Sequence, residues 1–259
     1  MAYPQFNSFE LNSGDFYAER ITFKGLASRE VIRAKINRRE GVKLLATEFG
    51  EKQITIEGQI VASSASVLQS DIDDLKKNIQ IEEGALVIEA DRTFYATVTD
   101  LTISDEHYNQ TKAPYSLTFV VSNPFALGTL LTTVSNVTSG VYVFSGMMNI
   151  SGTMFSRPTI IYTPPSATGP TGINRIDLYH YATGQTLTIS GFGSGTSLGY
   201  QSAITINLDT FTSLEGTTPI NNSGAFMRWD PGNNQYRLTV SGNVLPGGTV
   251  TAYYQPRYL

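Results

Sequence analysis

The chain has 259 residues, with 22 Asp and Glu against 18 Lys and Arg, and no cysteine. The lack of cysteine excludes disulfides and thiolate metal sites, and a formal net charge of -4 provides no basic footprint for reading nucleic acid. No run of 18 apolar residues occurs and no basic region precedes an apolar one near the start, so the sequence predicts neither a membrane span nor a signal peptide.

Charge is distributed unevenly along the chain. Residues 1–125 carry 13 Lys and Arg and 18 Asp and Glu, whereas residues 126–259 carry 5 and 4 and are rich in Gly, Ser, Thr and Asn. The length suffices for two domains that each bury a core. An alternating strand meets Pro124, where a sheet ladder cannot continue. The sequence therefore predicts two domains, 1–125 and 126–259.

The first domain begins with β-strand patterns. Residues 6–11 and 17–23 predict two strands around a turn at 12–15, which has the composition Asn-Ser-Gly-Asp that favours turns. This start indicates a β domain.

Residues 29–45 contain six Lys and Arg, which fits either a basic amphipathic helix or a charged hairpin. Val31, Ile32 and Ile36 are β-branched and Gly41 interrupts the run, so a strand is the favoured interpretation. Such a charge run is usually a solvated face. The alternative is a protruding arm or a contact between subunits.

Residues 52–125 place one helix pattern between strand patterns. Two-residue alternation at 54–60 and 115–122 predicts half-buried strands, and Asp91-Arg92 is predicted as the tip of a hairpin. Between them, apolar residues at three- and four-residue steps predict a helix from Val67 to Ile79 that packs on the sheet through Leu68, Ile72, Leu75 and Ile79. We therefore expect a mainly β domain, a barrel or sandwich with one amphipathic helix.

The second half shows short strand patterns at intervals of about ten residues, separated by Gly, Pro and Asn, and no helical period. This spacing is typical of a β-sandwich or jelly roll. The predicted strands are 141–144, 159–162, 175–181, 186–189, 203–208, 225–229, 235–240 and 250–254.

Candidate catalytic and metal-binding residues are few. His107 lies beside Asp105 and Glu106, a group that could ligate a metal or move protons, but with no second histidine nearby an exposed loop is favoured. Asp209 and Glu215 flank a predicted hairpin and could serve a glycosidase as its carboxylate pair. Turn positions favour acidic residues in any case. The sequence therefore predicts no enzyme, no catalytic residue, no metal site and no cofactor.

Trp229 is the single tryptophan of the chain. With Arg228, Tyr236 and Tyr253 it could form a stacking and hydrogen-bonding platform for a sugar. The alternative, which we favour, packs Trp229 inside the sandwich while residues 230–233 make the turn that follows.

The order of several segments resembles a known family. In the first half these segments are GEKQITIEGQI, a helix containing DIDDLKKNI, EEGALVIEADRTFYATVTDL and FVVSNPFA; in the second half they are RPTIIY, WDPGNNQYRLTVSG and VTAYYQPRYL. They are similar to the distal tail (Dit) proteins of long, non-contractile-tailed bacteriophages. The resemblance spans nearly the whole chain and consists of diffuse patterns, not catalytic motifs.

The resemblance implies a structural role in the virion tail, assembled in the cytoplasm of the bacterial host. It implies that the first domain is tail-tube-like and forms a ring, usually a homohexamer, around a channel through which DNA passes without specific binding. The second domain is expected to be a galectin-like β-sandwich. Expected partners are the tail tube protein, tail-tip proteins and receptor-binding proteins. The alternative function is a carbohydrate-binding adsorption module that recognises a bacterial surface polysaccharide.

Overall fold

The computed structural model describes residues 3–23, 25, 27–35, 42–104, 111–137, 143–164, 172–190, 203–243 and 247–259. The chain forms two compact units, Met1–Leu127 with Leu259, and Gly128–Tyr258. The division falls two residues beyond the boundary that the sequence predicts. The mainly β fold class, with its one helix in the first half, is confirmed for the described residues. None of the helices described there is long and apolar enough to cross a bilayer.

The first unit is built from antiparallel strands and one helix in its described part. In chain order these are β1 Gln5–Phe6, β2 Phe9–Glu10, β3 Phe16–Thr22, β4 Arg29–Lys35, β5 Val42–Phe49, β6 Lys52–Val61, α1 Ala65–Ile79, β7 Gly84–Glu89, β8 Arg92–Ile103, β9 Lys112–Val121 and β10 Ala126–Leu127. The main sheet has the order β2-β1-β7-β8-β9-β6-β3. Strands β4 and β5 form a separate two-stranded sheet.

Strand β6 is central because it is hydrogen-bonded along both edges. It pairs with β9 over ten residues, from Lys52 opposite Val121 to Val61 opposite Lys112, and with β3 on its other side. Its apolar residues alternate with polar ones, so every second side chain enters the core. The core of this unit includes Phe6 and Phe119, whose ring centroids lie 5.2 Å apart.

Strand β8 changes partner along its length. Its first part pairs with β7, up to Ala96 opposite Gly84, and its second part pairs with β9 from Thr97 to Ile103. The tip of the β7–β8 hairpin is Ala90-Asp91, with Asp91 at a φ of 60°. The predicted tip, Asp91-Arg92, is therefore wrong by one residue, because Arg92 pairs with Glu89 and already belongs to β8.

Helix α1 begins two residues before the predicted start. Ser64 caps it, since the Ser64 hydroxyl accepts a hydrogen bond of 3.3 Å from the Val67 N–H, which satisfies one of the free amides of the first turn. Lys76 and Lys77 lie in the last turn, where positive charge complements the helix dipole. The predicted apolar face is confirmed: Leu68 and Leu75 are buried, and Ile72 and Ile79 are half-buried.

The basic segment at 29–45 forms strands, as favoured from its sequence. Strands β4 and β5 pair in a hairpin from Arg29 opposite Phe49 to Lys35 opposite Val42. Residues 36–41 lie outside the described part. Val31 and Ile32 are exposed, at 40% and 43%. The hairpin thus presents apolar side chains to its surroundings.

The second unit is a β-sandwich. Its strands are β11 Leu131–Val137, β12 Val143–Ile150, β13 Thr159–Thr163, β14 Gly172–His180, β15 Gln185–Ser190, β16 Ile204–Asn207, β17 Thr212–Glu215, β18 Thr218–Pro219, β19 Asn221–Gly224, β20 Gly232–Asn243, β21 Gly248–Tyr254 and β22 Arg257–Tyr258. One sheet has the order β11-β21-β13-β16-β17-β18 and the other β12-β20-β14-β15-β19. Alternate residues of both sheets meet in one core.

The strand prediction at 225–229 differs from the structure, and strands β11 and β19 were not predicted. Residues 225–229 do not form a strand; strand β19 ends at Gly224, and only Trp229 forms an isolated bridge, with Ser156. Phe226 and Met227 are adjacent apolar residues that pack on the core, and they imitate a strand pattern. Strand β11 was not predicted, because its side chains from Leu131 to Val134 are all exposed and show no alternation.

Candidate functional site

The described residues contain no group of three or more His, Asp or Glu side chains that could hold a metal ion. His107, Asp105 and Glu106 lie outside the described residues. Asp209 forms a short ion pair, 2.7 Å, with the Nη2 atom of Arg257. Its carboxylate is thereby already neutralised by a protein cation.

The second member of the possible glycosidase pair lies at the other end of a strand. Asp209 belongs to the turn between β16 and β17, whereas Glu215 ends β17 opposite Ile204. At about 3.3 Å per residue, the three steps of β17 alone separate the turn from Glu215 by about 10 Å. Burial raises the pKa of the Glu215 carboxyl. This backbone spacing along one strand is longer than the separation of about 5–9.5 Å between the paired carboxyls of glycosidases, so it does not favour a pair that flanks one glycosidic bond.

Trp229 is fully buried and lies between two aromatic rings. Its indole faces His180 on one side, and its ring centroid lies 5.1 Å from that of Tyr236, with the planes tilted by 34°. Burial raises the pKa of Tyr236 to about 12. Within the described part of the chain, the indole Nε1 has no hydrogen-bond partner. Trp229 therefore acts as a core residue in this structure.

His180 is buried beside Trp229 and held at both ring nitrogens. Its Nε2 lies 3.1 Å from Asn234 Oδ1, and its Nδ1 lies 3.0 Å from the Thr183 hydroxyl. Asn234 Nδ2 already donates to the carbonyls of Asp230 and Gly232, so Asn234 Oδ1 is an acceptor and His180 Nε2 carries the hydrogen. Burial lowers the pKa of His180, which favours this neutral tautomer.

The four residues of the predicted sugar platform are divided among three places. Trp229 and Tyr236 lie together in the core, at 0% and 3% exposure. Arg228 is exposed and faces Asp230 at 3.7 Å. Tyr253 is half-buried on β21 in the six-stranded sheet. Neither face of the Trp229 ring is exposed to solvent, so a sugar could not stack on it unless the sandwich opened.

The outer face of the five-stranded sheet carries an aromatic pair that the sequence analysis did not identify. Tyr179 and Tyr181 meet edge to face, with ring centroids 5.0 Å apart, and Tyr181 is 43% exposed. The guanidinium of Arg237, on the neighbouring strand β20, lies 5.3 Å from the Tyr179 ring centroid. The alternation of 175–181 could have indicated this face, because the buried residues Ile176, Leu178 and His180 lie between the outward ones.

An ordered ion pair lies on the same outer face. Arg175 Nε lies 2.8 Å from a carboxylate oxygen of Asp177, and the Thr188 hydroxyl donates to that carboxylate at 2.6 Å. Together with the tyrosine pair, this face offers aromatic surface next to fixed donors and acceptors. Aromatic side chains combined with a few fixed polar groups are what small-molecule sites commonly present.

The first unit has strand β3 at one end of its main sheet and the β4–β5 hairpin as a separate sheet. Among the described residues, β3 pairs only with β6, so its outer backbone groups are available to another chain. Tyr17 on β3 is 49% exposed. A terminal strand of seven residues is suited to pairing with a second molecule, and the hairpin adds exposed apolar side chains.

Comparison with known proteins identifies the fold. No family model matches the chain, and no curated protein sequence matches it. Among solved structures, the chain is similar to the Dit protein of SPP1, described as a paradigm of the hub adsorption apparatus in phages that infect Gram-positive bacteria. That match has 14% identity, covers 99% of this chain and 98% of that chain, and has a TM-score of 0.68.

A second similar structure is the baseplate of phage P2 in its activated conformation with Ca, at 12% identity over 95% of this chain and 92% of that chain, with a TM-score of 0.48. The SPP1 match spans both units of the chain. At the level of the fold, it confirms the resemblance to Dit proteins that the sequence indicates.

Proposed function

We propose that this protein is the structural hub at the distal end of a phage tail, a homohexameric ring that joins the tail tube to the tip and anchors receptor-binding proteins. One observation carries the proposal: the SPP1 Dit fold is matched over 99% of this chain and 98% of that chain. A match that includes both units in one chain is more specific evidence of function than a match of a single sandwich domain would be. A single sandwich fold serves many unrelated functions.

The open edge of the first unit supports a ring. A strand such as β3, which has a partner on one side only, invites pairing with another chain unless its free side is covered. A head-to-tail contact between identical subunits closes into a ring when the rotation is suitable. The β4–β5 hairpin, with Val31 and Ile32 exposed, supplies apolar surface for the same contact. The first unit, residues 1–127, is the ring-forming domain in this proposal.

The charge balance supports a channel through which DNA passes. Residues 1–125 carry 18 acidic and 13 basic residues, so the ring domain has an acidic excess. Acidic walls repel phosphate groups and would let DNA slide without sticking. The second, galectin-like unit then holds tail-tip and receptor-binding proteins. The protein is a component of the virion tail, assembled in the host cytoplasm, and has no enzymatic activity in this proposal.

Oligomeric state tests the proposal directly. The purified full chain is examined by light scattering coupled to size exclusion and by negative-stain electron microscopy, alone and with the tail tube protein of the same phage. We expect rings with six-fold symmetry and a central hole. A monomer under all these conditions, with no ring on the tube, would contradict the proposal.

A second candidate function is recognition of a bacterial surface polysaccharide by the second unit. The observation that favours it is the exposed Tyr179–Tyr181 pair beside Arg237. A glycan array probed with the full chain tests it, with Tyr181→Ala as the informative variant. Loss of binding in Arg228→Ala or Tyr253→Ala, and not in Tyr181→Ala, would instead favour the platform predicted from the sequence. No binding to any glycan would exclude this function.

A further inference from the structure

Two arginines and three phenylalanines of the second unit form one cluster, called here the Arg–Phe cluster: Phe155, Arg157, Phe211, Phe226 and Arg228. The Arg157 guanidinium lies 4.8 Å from the ring centroid of Phe211 and 5.5 Å from that of Phe155. The Arg228 guanidinium lies 5.2 Å from the same Phe155 ring. Phe211 meets Phe226 edge to face at 5.5 Å. Cations and aromatic rings thus follow one another in a continuous row.

The backbone holds this row in place. Ser156 and Trp229 pair through two hydrogen bonds of 2.9 Å, and both side chains are buried. Their neighbours Phe155, Arg157 and Arg228 therefore project on the opposite side of this bridge, away from the core. The cluster is built on segments attached to the rigid sandwich.

Phe211 joins the row from the β16–β17 turn in an unusual conformation. Its φ is +58°, in the left-handed region that bulky residues rarely adopt, and the residue is 50% exposed. An exposed aromatic residue in a strained backbone conformation is a feature that clusters at ligand-binding sites.

The Arg157 guanidinium has no anionic partner in the described protein. It forms no ion pair with any described carboxylate, and its buried Nε has no hydrogen-bond partner. The nearby acids are engaged elsewhere, Asp209 by Arg257 and Asp230 by Arg228. Two aromatic rings lie against the guanidinium, at 5.5 and 4.8 Å from their centroids, and a planar guanidinium packed on aromatic rings suits bidentate recognition of a carboxylate.

We propose that the Arg–Phe cluster is a docking site for an acidic segment of another tail protein, in which a carboxylate binds Arg157 and an apolar side chain covers Phe211. Arg228 provides a second cation for a further carboxylate. That the partner is a tail protein rests on the proposed hub function. That its binding segment is acidic and apolar rests on the residues of the cluster. The cluster and its neighbours hold three cations, Arg157, Arg228 and Arg257, against the two carboxylates of Asp209 and Asp230. They therefore keep one positive charge in excess, which complements an acidic chain.

The rings of the cluster favour a protein segment over a glycan. Sugars bind aromatic rings by stacking on their open faces, and here guanidinium groups lie against Phe155 and Phe211. The groups that remain for a ligand are guanidinium edges and the exposed part of Phe211. A peptide that alternates carboxylates with apolar side chains satisfies both.

A model acidic polypeptide tests the docking site. A fluorescein-labelled random copolymer of glutamate and tyrosine is titrated with the full chain at low ionic strength, where surface charges are least screened, and binding is followed by anisotropy. We expect saturable binding, and a loss of affinity of about tenfold in Arg157→Gln and in Arg228→Gln. Phe211→Gly is expected to weaken binding as well.

Arg237→Gln is the matched control. It removes the same charge from an exposed arginine that also contacts an aromatic ring, Tyr179, outside the cluster, and its affinity should stay within about twofold of wild type. Equal losses in Arg157→Gln and Arg237→Gln, or no saturable binding, would overturn the proposal. Dextran sulfate is titrated in parallel. If it alone binds through the cluster, the ligand is an anionic glycan and the protein-segment proposal is wrong.

Two further measurements separate this inference from misfolding and from the hub proposal. Trp229 fluorescence of every variant reports whether the sandwich is intact; if Arg157→Gln does not fold, the exposed Arg228 decides the outcome. The oligomeric state is measured on the same samples. Rings without copolymer binding would refute the docking site alone, whereas cluster-dependent binding by a monomer would refute the hub alone.

Discussion

The imidazole ring of His180 lies parallel to the indole ring of Trp229, with centroids 5.2 Å apart and planes within 7° of each other. This stack lies in the core of the second unit, where His180 is 1% exposed. The single tryptophan of the chain is therefore in direct contact with one of its two histidines. Its fluorescence reports both on the folding of the sandwich and on the charge of His180.

The stability of the second unit should decrease as the pH falls below about 6.5. Burial lowers the pKa of His180 from 6.5, while the Asn234 hydrogen bond and the charge of Asp230 oppose the shift. The unfolded chain therefore binds the proton first, and stability is lost as the pH falls from 6.5 towards the lowered pKa, by at most about 1.4 kcal/mol per pH unit.

Urea unfolding, followed by Trp229 fluorescence at several pH values, measures this loss. His180→Gln should flatten the pH dependence in this window, and His107→Gln, which changes the other histidine, should not. Carboxylates titrate equally in both variants, so the difference isolates His180. An identical pH dependence in wild type and His180→Gln would contradict the prediction.

Trp229→Ala should destabilise the second unit by about 3–5 kcal/mol, because it removes a fully buried ring and leaves a cavity. Trp229→Phe should cost less than half as much, since the indole Nε1 has no hydrogen-bond partner to lose among the described residues. Guanidinium unfolding followed by far-UV circular dichroism measures both. Tyr253→Phe, at a half-buried position, is the control and should stay within about 0.5 kcal/mol. Wild-type stability in Trp229→Ala would show that the ring is not part of the core.

Phe211→Gly should be more stable than Phe211→Ala by about 1 kcal/mol, because glycine adopts positive φ without strain. Both variants lose the ring contact with Phe226, so the difference reports the backbone alone. Thermal unfolding of the two variants side by side measures it. In an extended conformation the order would be reversed, so a more stable alanine variant would show that φ is not positive at 211.

Gly58→Ala should destabilise the first unit by about 1–3 kcal/mol through overpacking. A Cβ at this position would lie 2.2 Å from the Tyr17 carbonyl oxygen and 2.8 Å from the Tyr115 hydroxyl, which itself donates to the Leu11 carbonyl. Circular dichroism during heating measures the loss. Gly25→Ala is the control, since a Cβ there meets nothing within 4 Å. Equal stabilities of the two variants would contradict the prediction.

Val31→Glu should prevent ring assembly without unfolding the subunit. Val31 is 40% exposed on the β4–β5 hairpin, so the new charge is solvated in the monomer and becomes unpaired when a neighbour covers it. We expect about tenfold weaker association, measured by light scattering. Val134→Glu, at a 61% exposed position of the second unit, is the matched control. Rings that form equally well in both variants would exclude the hairpin from the contact.

Local periodicity accounts for what the sequence predicts correctly. The alternation in β6 and β9 and the helical spacing of Leu68 and Leu75 are properties of neighbouring residues, and they indicated the first unit and its buried face. The core position of Trp229 followed from the turn sequence after it. The strand prediction for 225–229 is wrong because two adjacent apolar residues of this segment pack on the core from an irregular backbone.

Tertiary proximity accounts for what the sequence does not predict. Arg157 and Phe211 are 54 residues apart, and Phe211 and Arg228 are 17 apart, and only the fold brings them into one row. The positive φ of Phe211 is imposed by the turn that carries it, against the preference of a bulky side chain. The hydrogen bond of His180 is also invisible locally, since its partner Asn234 lies on a neighbouring strand.

The position of β6 between β3 and β9 determines how each strand of the first unit exchanges its amide hydrogens. The amides of β6 are hydrogen-bonded in the middle of the sheet, so they exchange only when the unit unfolds globally. The outward amides of β3 exchange from the folded monomer. Ring assembly through β3 would slow amide exchange in β3 and leave exchange in β6 unchanged. A general gain in stability would slow exchange in β6 as well, so deuterium uptake along these two strands distinguishes the two events.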